Sequence, residues 1–231
     1  MRARPMVWRR SVGFTLIELL VAVGLMALMA ALSWRGLDGM TRSQAQMRQY
    51  ADDVMALQSG LGQWGVDLDA MVTPPDAGAS HKFVTLDWDG RALRILRRGA
   101  VNPGAGLIVV AWSRRVVDGT GQWLRWQSPP LQTRAELDLA WQKAAQWAQS
   151  PSADDSRREV RVAALDQWQI YYYRNDAWSN PLSSAGLASD GKTGADNLVD
   201  GIRLVLSLSP GQAISGTITR DWLRPGVGGH K

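Results

Sequence analysis

The sequence predicts an α+β fold: one long N-terminal helix followed by antiparallel sheet. Three observations carry that expectation. Residues 14–34 form an unbroken apolar run, FTLIELLVAVGLMALMAALSW, with one charge, Glu18. A helical stripe then continues to Leu68. Beyond Pro74-Pro75 the chain changes to short β-branched and aromatic runs separated by turn residues.

The apolar run is long enough for a membrane. Twenty-one helical residues span about 31 Å, against a hydrocarbon core of about 30 Å. Arg2, Arg4, Arg9 and Arg10 precede it without an acid between them, which places that end in the cytoplasm. A secretory signal peptide has a shorter apolar core and a small-residue cleavage site, and Ser33-Trp34-Arg35 is a poor one. A plain anchor leaves Glu18 unexplained, because a carboxylate in a membrane helix is costly and calls for a partner.

The stripe beyond Trp34 consists of Met40, Met47, Val54, Leu61 and Leu68, with Tyr50, Leu57 and Trp64 between them. The segment from Val54 to Leu68 is expected to pack on the chain's own sheet, and Trp34 to Met47 to meet other subunits. Phe14 to Leu68 would be about 82 Å of helix, ended by Pro74-Pro75. Gly36, Gly39, Gly60, Gly62 and Gly65 cost helix propensity and would permit bends or close packing.

Strands are expected at 83–86, 92–96 and 106–112, with a hairpin return at 122–126 across the turn Asp118-Gly119-Thr120-Gly121. Arg134 to Gln149 reads as a helix and Asp154 to Arg158 as a polar loop. Strands resume at 159–164 and 168–174. A loop from Asn175 to Asp200 is long enough to be functional or mobile. The last strands are 201–208 and 213–222, before a tail at 226–231.

Composition narrows the chemistry. The formal charge is +5, of which the four leading arginines supply +4, so the remainder carries only +1. That argues against a nucleic-acid partner, and Arg97-Arg98 and Arg114-Arg115 read as solvated strand ends. There is no cysteine, so disulfides and cysteine catalysis are excluded. The two histidines, His81 and His230, belong to no catalytic or metal motif. No enzyme, cofactor or metal site is expected. Asp87-Trp88-Asp89-Gly90 reads as a tight turn. Ser189-Asp190-Gly191 to Asp196-Asn197 is a lesser candidate for a calcium loop. The twelve tryptophans read chiefly as packing. Tyr171-Tyr172-Tyr173, with Trp168 and Trp178, weigh a sugar-stacking surface against core and edge packing, and packing is preferred. Strand alternation sends Tyr171 and Tyr173 to one face and Tyr172 to the other.

One arrangement is specific. A basic leader ends at Gly13, Phe14 follows, and Glu18 is the fifth residue counted from Phe14 at the head of the apolar helix. This resembles the prepilin family motif. The resemblance implies that a dedicated peptidase cuts between Gly13 and Phe14 and that the new Phe14 amine is methylated. It also implies that Glu18 neutralises that amine, on the same chain or a neighbouring subunit, during filament assembly. The pilin-like division would be leader 1–13, membrane and filament helix 14–34, amphipathic continuation 35–70, periplasmic domain 80–225 and tail 226–231.

Within that family the chain resembles the minor pseudopilin J group of type II secretion. The residues are Ser33-Trp34-Arg35-Gly36-Leu37-Asp38, Leu57-Gln58 through Asp67-Leu68, and the closing hairpin Asp200–Leu204 to Gly216–Arg220. That resemblance implies a non-enzymatic tip component of the pseudopilus. Its partners would be pseudopilins I and K, the major pseudopilin, the prepilin peptidase/methyltransferase and inner-membrane lipid. The chain would be single-pass, with its N-terminus cytoplasmic and its C-terminal domain periplasmic. A minor pilin of a type IV pilus or DNA-uptake machine is the alternative, and a membrane-anchored glycan-binding module a more distant one.

Overall fold

The computed structural model describes residues 13–72, 84–99, 106–183 and 199–226. His81, His230, the Pro74-Pro75 stop and the candidate calcium loop at 189–197 lie outside those residues. The chain divides into two compact units, Met1–Gln49 and Tyr50–Lys231.

Helix α1 covers Leu16–Asp69, 54 residues. In the first unit its apolar side chains, from Leu16 to Met47, are exposed. In the second unit Leu57, Trp64 and Leu68 enter the core, spaced seven and four residues apart on one face. The expectation that the end of the stripe packs on the chain's own sheet is met. The helix ends at Asp69, before the prolines expected to stop it. Strand pairing takes over there: Val72 N–H donates to the Leu96 carbonyl at 3.0 Å, and Arg98 N–H to the Ala70 carbonyl at 3.0 Å.

The α+β expectation holds, with two antiparallel sheets where one was foreseen. The first contains β1 (Leu86–Trp88), β2 (Ala92–Arg98), β3 (Leu107–Val117), β4 (Thr120–Gln127) and β5 (Glu159–Ala164) in that order. The second, from β6 (Gln167–Arg174), β7 (Ala177–Ser179), β8 (Gly201–Leu208) and β9 (Gly216–Leu223), is ordered β7-β6-β8-β9. One extended run serves both sheets. Leu165 N–H donates to Gly121 O in the first, and Asp166 N–H to Ser207 O in the second, both at 2.8 Å. β5 therefore becomes β6 by switching sheets within two residues, the usual way to make a sheet corner.

The first sheet is covered on both faces. Leu93, Ile95, Val110, Trp112 and Trp123 face α1 and the second sheet. Leu96, Val109, Ala111, Leu124 and Trp126 face α2 (Arg134–Gln149). This explains why the first six residues of β3, 107–112, read as a continuous apolar run instead of alternating. α2 supplies Leu137, Ala140, Ala144, Trp147 and Ala148 on one stripe, and a capping box of Thr133 and Glu136 starts it. Trp64, Trp112, Trp123, Trp126 and Trp147 are among the largest fully buried side chains. The apolar surface of each ring favours folding by leaving water, at about 25 cal/mol per Å².

Two of the turns place two consecutive residues at positive φ. Asp118 (φ 51) and Gly119 (φ 79) join β3 to β4, as the Asp-Gly pair predicts. Asn175 (φ 50) and Asp176 (φ 60) join β6 to β7. The long loop expected from Asn175 therefore begins as a hairpin, made by the two non-glycine residue types that best tolerate this region. Asp154 to Arg158, expected as loop, overlaps a short helix, α3 (Ala153–Ser156), capped by Ser152 and Asp155.

Candidate functional site

Gly13, Phe14 and Thr15 precede α1 in an exposed, non-helical stretch. Phe14 is 88% exposed. The bond between Gly13 and Phe14 thus lies outside α1, between exposed residues. Thr15 and Glu18 start α1. The Thr15 N–H and hydroxyl donate to Glu18 Oε2 at 3.3 and 3.1 Å, and the Glu18 N–H donates to Thr15 Oγ1 at 3.4 Å. This is a capping box, Thr-x-x-Glu, and its signal was present in the sequence. α1 is long and apolar enough to cross a membrane.

A second cluster sits on Asp67, which is fully buried in the last turn of α1. Its carboxylate pairs with Arg97 on β2 and with Arg125 on β4, Nε to Oδ2 at 2.8 Å and Nη2 to Oδ1 at 2.9 Å. Trp112 Nε1 and Gln63 Nε2 add bonds at 2.9 and 2.8 Å. An acid near a helix C-terminus opposes the macrodipole, so these donors are what hold it there. The cluster fastens the helix end to the sheet.

It also corrects the reading of the paired arginines. Arg97 is buried against Asp67. Arg115 binds Glu159 at 2.7 Å and lies over the Trp147 ring, and Arg114 donates to Leu165 O at 2.9 Å. Only Arg98 of the four is exposed. The others lie inside strands whose faces are covered, so they are paired and not solvated.

The tyrosine run divides as alternation requires. Tyr172 is buried, while Tyr171 and Tyr173 lie on the outer face of the second sheet. There Tyr173 and Trp178 are 5.0 Å apart, the Arg203 guanidinium lies 4.3 Å from the Trp178 centroid, and Arg203 binds Asp221 through two 2.7 Å contacts. The Arg203 hydrogen bond holds the Asp221 carboxyl below its ordinary range. The Asp176 carboxylate, accepting from the Tyr173 hydroxyl, pushes the phenol up.

Asp87-Trp88-Asp89-Gly90, expected as a tight turn, begins in β1: Asp87 and Trp88 pair with Arg94 and Leu93 of β2, and only Asp89 and Gly90 enter the turn. Asp89 Oδ1 accepts from Arg91 N–H at 2.9 Å and Ala92 N–H at 2.8 Å, and Asp87 pairs with Arg94. Among the described residues no three His, Cys, Asp or Glu side chains group to hold a metal. A cavity of about 240 Å³ lies between α2, α3 and residues 126–131. Its rim acids are already engaged, Glu136 and Asp155 in caps and Asp154 with Arg158.

Residues 8–34 match the family described as the prokaryotic N-terminal methylation motif. The match covers Gly13, Phe14, Thr15 and Glu18 and the membrane-length part of α1. With the pilin-like architecture that follows, it supports a type IV pilin-like or pseudopilin protein anchored in a membrane. No curated protein matches the chain.

Proposed function

We propose that this chain is a minor pseudopilin of type II secretion, of the J group, acting as a non-enzymatic tip component of the pseudopilus. The observation that carries the reading is the methylation motif at residues 8–34, leading without interruption into the helix of a pilin-like fold. In this reading the prepilin peptidase cuts between Gly13 and Phe14 and methylates Phe14. The helix stores the subunit in the inner membrane, with the domain from about residue 80 in the periplasm. Glu18 then pairs with a Phe14 amine as pseudopilins I and K and the major pseudopilin assemble with it. In low dielectric either charge alone is costly, which makes the pairing a condition for assembly.

Mass spectrometry of the membrane-extracted protein is the direct test. An N-methylated Phe14 supports the reading, and an intact Met1 terminus sinks it. Co-purification with pseudopilins I and K separates the secretion reading from a minor pilin of a type IV pilus, which would carry the same motif. Glu18→Ala tests the pairing, since assembly at the normal level would exclude it.

A further inference from the structure

The two sheets end in four edge strands, and three of these are blunted. β1 and β7 have three residues each. β5 bulges at Val162, because Trp123 lies opposite Ala163 and Leu124 opposite Arg161. β9 is different. It pairs with β8 in unbroken register, from Leu223 opposite Gly201 to Gly216 opposite Leu208, and among the described residues no strand pairs with its other side. Arg224 N–H donates to Asp200 O at 2.9 Å along that register, and Ser207 O turns the other way, to Asp166 N–H. Even-numbered residues of β9 therefore bond to β8, and the N–H and C=O groups of Thr217, Thr219, Asp221 and Leu223 point away from the sheet. Such a row is a template for one more strand.

The side chains define what that strand would carry. Ile218, Arg220 and Trp222 alternate onto the core-side face. Ile218 and Trp222 pack against the core, while Arg220 between them is exposed and makes no ion pair among the described residues. Asp221, on the other face, is already held by Arg203. An unmatched charge on the inner face of an edge repels ordinary apolar strands, since pairing would bury the guanidinium without a partner. We propose that the outer edge of β9 is a strand-addition site for an extended segment of another polypeptide, with an acidic residue opposite Arg220 and apolar residues opposite Ile218 and Trp222. A second copy of this chain does not fit. Antiparallel pairing of two β9 edges puts even-numbered residues opposite even-numbered ones, and Gly216, Ile218, Arg220 and Trp222 include no carboxylate. The added strand extends the core at one edge of the second sheet, and Arg220 selects which strands are admitted.

The test uses the full chain, isotope-labelled and in detergent micelles, with a blocked synthetic peptide, Thr-Val-Thr-Glu-Thr-Val-Thr, and a twin carrying lysine in place of the glutamate. Amide exchange is read along β9 by NMR. With the glutamate peptide at saturation, the amides of Thr217, Thr219 and Asp221 are expected to slow about tenfold, the effect of one net hydrogen bond. The amides of Ile218, Arg220 and Trp222, already bonded to β8, are expected to stay as they were. The lysine peptide is expected to bind about fivefold more weakly, and Arg220→Glu to invert that order. Thr219→Pro removes an outward N–H and no bond within the sheet, so it is expected to keep the fold and lose the protection. No slowing with either peptide overturns the site. Equal affinity of the two peptides overturns selection by charge. Slowing without peptide that grows with protein concentration overturns the choice of occupant, in favour of a second copy.

Discussion

The Trp222 indole N–H donates to Asp69 Oδ1 at 2.7 Å, so the last strand is tied to the last residue of α1. The two are 153 positions apart in the chain. Trp222→Phe keeps an aromatic ring in the core while removing the donor and part of the indole's volume. The expected loss is about 1–2 kcal/mol, seen in urea titration as a lower midpoint with an unchanged slope. Amides of β9 should then exchange sooner than those of β2 and β3.

Asp67 has more at stake. Asp67→Asn keeps the shape but leaves Arg97 and Arg125 without their shared carboxylate. Breaking a buried pair from one side costs about 3–5 kcal/mol, so the variant should unfold at markedly lower denaturant. A midpoint equal to that of the parent would show that the two arginines find other acceptors.

Two helical glycines should respond in opposite directions. A Cβ on Gly60 would come within 2.1 Å of Val162 Cγ1 on β5, whereas nothing lies within 4 Å of one on Gly62. Gly60→Ala is expected to cost about 1–3 kcal/mol by overpacking. Gly62→Ala is expected to gain up to about 1 kcal/mol in helix propensity. Thermal unfolding of both variants, side by side, checks the contrast.

Asp221 should show its partner in an acid titration. The hydrogen bond from Arg203 lowers the folded carboxyl below the ordinary aspartate range. A lowered folded value means that the pair's contribution is present above the unfolded value and is lost as pH falls through the folded one. The effect lies below about pH 4 and is small and salt-sensitive, because the pair is open to water. Carboxyl carbon shifts of Asp221 should move to an ordinary midpoint in Arg203→Met.

Thr133 starts α2 by accepting from Glu136 N–H at 3.2 Å, while Glu136 accepts from Thr133 N–H at 3.0 Å. Thr133→Ala should cost about 1 kcal/mol. The backbone N–H groups of Gln132 and Thr133, which chiefly hold the Glu136 carboxyl low, remain in that variant, so its titration midpoint should rise only slightly, through loss of the Thr133 hydroxyl bond.

Local pattern located the elements well where one signal dominated. Arg134–Gln149, Glu159–Ala164 and Gly201–Leu208 fall on the residues expected of them. The sheet count was not legible, because the break at Leu165-Asp166-Gln167 separates the strands 159–164 and 168–174 without saying that they join different sheets. β7 was hidden behind Asn175-Asp176, a turn pair without the usual glycine. At the N-terminus Gly13, Phe14 and Glu18 stood out by spacing, and Thr15 did not, although Thr-x-x-Glu was there to be read. Asp67 was invisible for a physical reason. Sequence shows a carboxylate on a helix, but only the fold brings Arg97 and Arg125 to it from 30 and 58 residues away.

The run from β5 into β6 has a thermodynamic consequence. Each sheet holds one end of the same extended segment, so neither can peel open without stripping hydrogen bonds from the other. The unit from Tyr50 onward should therefore melt as a single cooperative block. Intrinsic fluorescence, to which Trp88, Trp112, Trp123 and Trp126 of the first sheet contribute, and hydrogen exchange along β8 should report the same transition.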